Sequence, residues 1–332
     1  MQIAKKNPLA ISFDDIAALV SSDRYEVDQL ISQNLESDVI LVSQVSEYIL
    51  LSGGKRLRPL IVLLAARALD YRGEQHIQAA AIIEFIHTAT LLHDDVVDSS
   101  SRRRGQDSAN TVFGNQASVL VGDFLYSRAF QMMVDIDNMR VMQVLADATN
   151  TIASGEVMQL MNINDPEITE ADYRQVIYRK TARLFEAGSQ IAAVLKSYDD
   201  ETESSMISYG RHLGTAFQLV DDALDFNASA DELGKNIGDD LAEGKVTLPL
   251  IHAMKEGSDE DRKIIRKAIL EGGLDQLDRI TTIIKSSGAF QYTANKAREA
   301  ANDAIESLKN LPDSKYKQAL IDIAELSIQR RF

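Results

Sequence analysis

Only five prolines punctuate this chain of 332 residues, Pro8, Pro59, Pro166, Pro249 and Pro312, and they fall mostly between or at the edges of periodic apolar segments. Proline removes a backbone donor and clashes with the preceding helical turn, so a chain with few of them can build long helices. The apolar positions recur at helical spacing, no segment alternates convincingly as a strand, and no fixed-period repeat is present. The periodicity predicts helices over 12–20, 24–34, 37–51, 59–70, 75–97, 117–134, 138–161, 169–195, 201–226, 246–255, 259–271, 274–286, 289–309 and 314–329. With 45% apolar residues the core is ample, and the expectation is one all-α domain over 1–332 with residues 1–20 as a variable N-terminal segment.

Two aspartate clusters of identical spacing end two of these runs: Asp94-Asp95-Val96-Val97-Asp98 and Asp221-Asp222-Ala223-Leu224-Asp225. Residues three and four apart share a helix face, so each cluster projects carboxylates to one side. Like charges about 4 Å apart cost roughly 1 kcal/mol in water and several-fold more where water is partly excluded, so a cation is expected between them. Carboxylate oxygens without cysteine favour a hard ion, and Mg²⁺ is usually held by one or two carboxylates together with substrate phosphates. The pattern therefore points to a phosphorylated substrate.

The chain is acidic, with 50 Asp and Glu against 35 Lys and Arg, which disfavours a nucleic-acid partner because that affinity rests on basic surface. An anionic substrate would need local basic groups, and three loops supply them. Gly53-Gly54-Lys55-Arg56-Leu57-Arg58-Pro59 precedes a helix, Arg102-Arg103-Arg104-Gly105 follows the first acidic cluster, and Gly234-Lys235-Asn236 follows the second, with Lys245 beyond. Arginine forks and lysine ammonium groups suit phosphate oxygens. Lys180-Thr181 lies inside a predicted helix, His87 sits two turns before Asp94 on the same face, and Gln218 one turn before Asp222. There is no cysteine, which excludes disulfides and fits a reducing compartment. The N-terminus lacks the pattern of a secretory signal and no apolar run reaches membrane-spanning length, so a cytoplasmic location is expected.

These pieces, in this order, resemble the trans-isoprenyl diphosphate synthases, also called polyprenyl synthetases. The likeness is carried by Gly53–Pro59, the first aspartate motif with Arg103-Arg104-Gly105, Lys180-Thr181, Gly214–Asp225 and Gly244-Lys245, and covers residues 25 to 330. The runs Glu84–His93, Leu120–Tyr126 and Gly155–Leu160 are similar to the long-chain members, with an octaprenyl product expected.

The resemblance implies an all-α bundle of long helices around a central apolar cavity, the isoprenoid synthase fold, working as a homodimer. It implies Mg²⁺ on Asp94, Asp98, Asp221, Asp222 and Asp225, with Asp95, Lys180 and Gln218 also serving catalysis. The allylic diphosphate, farnesyl diphosphate being the expected starter, would meet Arg103, Lys180, Thr181, Gln218, Lys235 and Lys245. Isopentenyl diphosphate would meet Lys55, Arg58, His87 and Arg104. Ser99-Ser100-Ser101-Arg102 departs from the more acidic or apolar residues common there, which affects only that loop's detail.

Product length is then a packing question. Ala89 and Thr90 lie roughly 6 to 7.5 Å of axial rise before Asp94, and their small size leaves a cavity open there. Phe130, Met132 and Met133 are candidates for its deeper floor. Transient membrane contact for an apolar product is expected, and the C-terminal Gln329–Phe332 is read as an exposed tail. A shorter- or longer-chain synthase, or a non-catalytic helical subunit, stands as the alternative.

Overall fold

The structure is a computed structural model that describes residues 12–51, 53–226, 238–272 and 274–329. Its helices are α1 (Phe13–Ala18), α2 (Ser21–Leu35), α3 (Ile40–Leu51), α4 (Leu57–Ala68), α5 (Gln75–Val97), α6 (Ala109–Phe113), α7 (Asn115–Asp135), α8 (Met139–Met161) and α9 (Glu170–Ile177). A π-helical turn (Tyr178–Ala182) leads into α10 (Arg183–Lys196). There follow α11 (Asp200–Leu224), α12 (Asp239–Ala242), α13 (Leu248–Glu256), α14 (Asp259–Glu271), α15 (Leu277–Ser286), α16 (Ala289–Ser307) and α17 (Lys315–Ile328). A short hairpin, β1 (Arg102–Arg103) with β2 (Gln106–Asp107), follows α5.

Local chemistry explains several helix starts. Ser12 with Asp15, Thr169 with Asp172, and Ser258 with Asp261 form reciprocal capping boxes at α1, α9 and α14. Each such cap is worth about 1 kcal/mol. Pro59 sits in the first turn of α4, where its missing donor leaves no helical bond unmade.

α5 is the central element. From Ala79 to Ile86 every residue is buried, as expected of a helix surrounded by others. It packs on α4 and α7, α10 joins α4, α8 and α11, and α16 lies along α11. The main apolar cluster runs from Ile16 in α1 to Ala324 in α17, and a second gathers α12 to α15 around Leu241, Ile265 and Ile284. Ile16 and Ala17 thus tie part of the N-terminal segment to the core.

The all-helical expectation holds, with local differences. The helix predicted over 169–195 is interrupted at Tyr178–Ala182 by the wider π turn, and the hairpin, α6 and α12 were not foreseen. Among the described residues no helix is long and apolar enough to cross a membrane.

Candidate active site

A cleft of about 500 Å³ opens between α5 and α11. On α5 the lining positions are Glu84, His87, Thr90, Leu91, Asp94 and Asp98, whose spacings of three and four make one helical stripe. On α11 they are Phe217, Gln218 and Asp221, while Glu156 from α8 and Lys180 and Thr181 from the π turn complete the wall.

Both aspartate motifs lie at helix C-termini, where Asp98 and Asp225 are the capping residues. That end of a helix carries partial negative charge, so the carboxylates add to an unfavourable potential that cations relieve. Two lysines supply relief. Lys180 Nζ lies 3.3 Å from Asp94 Oδ2, 2.6 Å from Glu156 Oε2 and 2.8 Å from Gln159 Oε1. Lys245 Nζ lies 2.7 Å from Asp98 Oδ2 and 2.5 Å from Glu243 Oε2. Burial opposes the charge of both ammonium groups, yet the carboxylates outweigh it and raise both pKa values, Lys180 through Asp94 and Glu156 and Lys245 through Asp240, Asp98 and Glu243.

Negative charge is still in excess. Glu156 is pushed up by burial and then by Asp94, and Asp222 by burial and then by Asp240. Oxygen donors under such strain fit a hard divalent cation such as Mg²⁺. Among the described residues no three acidic or imidazole side chains form a ready-made ion cage.

The second motif divides its residues. Asp221 lines the cleft, whereas Asp222 is 3% exposed and lines an adjoining recess. There Asp222 accepts from Tyr173 Oη at 2.5 Å and from Gln218 Nε2 at 2.7 Å, and Thr181 Oγ1 donates to Gln218 Oε1 at 2.8 Å. These bonds fix the Gln218 amide. Asp225, also expected among the metal ligands, is fully buried at the end of α11. Asp95 is fully buried too, and its carboxylate receives Arg103 at 2.6 to 3.0 Å, which makes it a clamp for Arg103 rather than a cleft group.

The hairpin supplies the basic end. Its two-residue turn is Arg104-Gly105, with φ of 52° and 79°, the positive pair that matches hairpin twist. Arg104 reaches the Gly53 carbonyl, and its guanidinium lies where a Cβ on Gly54 would sit 2.6 Å away, so a side chain there would displace it. Arg58 Nη1 lies 3.0 Å from His87 Nε2 and its guanidinium 4.5 Å from the Phe185 ring centroid. Guanidinium only donates, so His87 Nε2 accepts and the ring is neutral. Burial, then Arg58, holds the His87 pKa well below its ordinary value, and burial lowers Arg58 to about 10. Lys55 stands at the rim over the Phe13 ring.

Lys180 and Thr181, adjacent in the π turn, both line the cleft, and single π turns recur at functional sites. α8 packs close to it at Gly155, where a Cβ would lie 2.7 Å from Arg179 Cβ and 2.9 Å from the Lys180 nitrogen.

Not every expected residue reaches the cleft. Ala89 is fully buried off the lining stripe while Thr90 lies on it; Met132 and Met133 are core residues of α7. Phe130, expected in the floor, is 41% exposed because it falls on the outward stripe of that helix. Lys235 and residues 330–332 lie outside the described residues. The reading of the residues missed Glu84, Glu156, Gln159, Tyr173, Asp240 and Glu243; Glu84 had a signal in the run Glu84–His93, and Glu156 and Gln159 had one in the run Gly155–Leu160.

Comparison with known proteins agrees with this geometry. The polyprenyl synthetase family model matches residues 39–286. The chain is 51% identical to the octaprenyl diphosphate synthase of Haemophilus influenzae over 329 residues, covering 99% of this chain and 100% of that protein. It is also 51% identical to the octaprenyl diphosphate synthase of Escherichia coli strain K12 over 321 residues, covering 96% and 99%. The crystal structure of a polyprenyl synthase from Caulobacter crescentus CB15, complexed with calcium and isoprenyl diphosphate, superposes with a TM-score of 0.94 at 40% identity, covering 97% of this chain and 99% of that one.

Proposed function

The chain belongs to the polyprenyl synthetase family, and from that premise we propose that it elongates an allylic diphosphate, with farnesyl diphosphate as starter, by repeated head-to-tail condensation with isopentenyl diphosphate to an all-trans octaprenyl diphosphate for a quinone side chain. The observation that carries this reading is one cleft with carboxylates at two helix C-termini, cations interleaved among them, and a separate arginine-rich end. The octaprenyl product follows the two relatives at 51% identity.

Asp94 and Asp98 on one side and Asp221 on the other, with Asp222 behind it, would hold Mg²⁺, whose positive charge would stabilise the departing diphosphate. Arg103, Lys180, Thr181, Gln218 and Lys245 hold the allylic diphosphate, with Lys235 a further candidate. Lys55, Arg58, His87 and Arg104 hold isopentenyl diphosphate. Ionisation breaks the allylic C–O bond; the isopentenyl double bond then supplies the electron pair of the new C–C bond, and a proton leaves to the released diphosphate. No side-chain base is required. Leu91 and Phe217 line the cleft and limit water near the cation.

The same reading takes the chain as one domain acting as a homodimer in the cytoplasm, with transient membrane contact for product release. Val119 and Leu120 on α7 and Val157, Leu160 and Met161 on α8 are exposed apolar groups suited to a second copy. A non-catalytic subunit would be expected to lack some metal ligands, and all six aspartates are present.

Asp94→Ala and Asp221→Ala test the assignment. Each should lower kcat on the order of 10² to 10³-fold, the scale of losing one charge-stabilising group, with an unchanged circular dichroism spectrum. Retained turnover in both contradicts the assignment.

A further inference from the structure

Glu84 has no role in the account so far. It lies one turn before His87 on the cleft-facing stripe of α5, is 5% exposed, and its Oε2 is buried with no hydrogen-bond partner. The groups that face it are cations, Arg56 and Arg58 at the start of α4 and Arg104 on the hairpin; the one anion, Asp28 of α2, is paired with Arg56. A carboxyl buried without a bond at that oxygen is unfavourable, and burial raises its pKa. Packing alone would be served as well by an uncharged side chain of the same length. What the carboxyl adds at this position is negative charge beside three arginines.

In the proposed reaction the diphosphate of isopentenyl diphosphate is not cleaved. It becomes the diphosphate of the lengthened product, which must leave the arginine-rich end and move to the lysines and carboxylates around Asp94 before the next unit enters. Affinity spent equally on substrate and transition state does not speed the chemistry, and here it slows the transfer.

We infer that Glu84 weakens the hold of Arg58 and Arg104 on the diphosphate, so that each elongated product can quit this end of the cleft. The inference rests on the proposed isopentenyl diphosphate pocket.

Titration calorimetry of the full chain with isopentenyl diphosphate tests it, using wild type, Glu84→Gln and Arg58→Gln. Glu84→Gln should bind about fivefold tighter, which corresponds to about 1 kcal/mol of repulsion removed. Its kcat for elongation should fall by a similar factor while KM falls, and Glu84→Asp should restore part of both. Glu84→Met removes the charge at equal length and carries the test if Glu84→Gln does not fold. Unchanged or weaker binding in the charge-free variant overturns the role of Glu84, as does tighter binding with kcat unchanged. Arg58→Gln binding as tightly as wild type overturns the pocket itself, and the inference with it.

Discussion

His87 shows how one residue's partner sets its protonation. Arg58 approaches Nε2 at 3.0 Å, and burial then leaves the imidazole neutral in the folded chain. Its folded pKa lies below the ordinary 6.5, so the unfolded chain binds the extra proton first as pH falls. The stability this residue contributes is therefore complete above pH 6.5 and is lost as pH drops below it. Several buried carboxyls, Asp222 and Glu156 among them, have raised pKa values and pull the other way, so the isolating measurement is a difference. His87→Gln should gain stability relative to wild type between pH 7.5 and 5.5, by up to about 1.4 kcal/mol per pH unit, seen as a changing gap in Tm. A constant gap contradicts the neutral assignment. The aspartate clusters and basic loops were legible in the sequence because their spacing is local. The partners of Asp95 and Asp222 and the cations facing Glu84 were not, because they depend on which elements face each other.

Among elements, α5 was read from sequence with its observed bounds, since its apolar run and its terminal aspartates leave little freedom. The π turn was hidden because Tyr178–Ala182 has ordinary helical composition, and its close approach to Gly155 of α8 joins residues far apart in the sequence. The cleft stripe also refines the product-length argument. Thr90 lies on the stripe, whereas Ala89 is fully buried beside it. Thr90→Phe should shorten the product with Tm near wild type. Ala89→Phe must also displace core neighbours, so any shortening should come with about 1–3 kcal/mol of lost stability. Product assays paired with thermal melts decide this, and full-length product from Thr90→Phe would remove α5 from length control.

For the whole molecule, composition and the scarcity of proline were enough for the helical class, because both act along the entire chain. How the helices surround a cleft came from the family resemblance and not from periodicity. The exposed apolar groups of α7 and α8 argue for a second copy. Sedimentation should give twice 36.7 kDa, and Leu120→Glu should shift the species toward that single-chain mass; a wild-type monomer that elongates normally would contradict the dimer. The most direct measurement is to incubate the purified protein with radiolabelled isopentenyl diphosphate, farnesyl diphosphate and Mg²⁺, then separate the dephosphorylated products by chromatography. A dominant octaprenyl product that disappears when the metal is chelated is the predicted result. No metal-dependent elongation from any allylic starter, by a protein with its fold intact, would contradict the account.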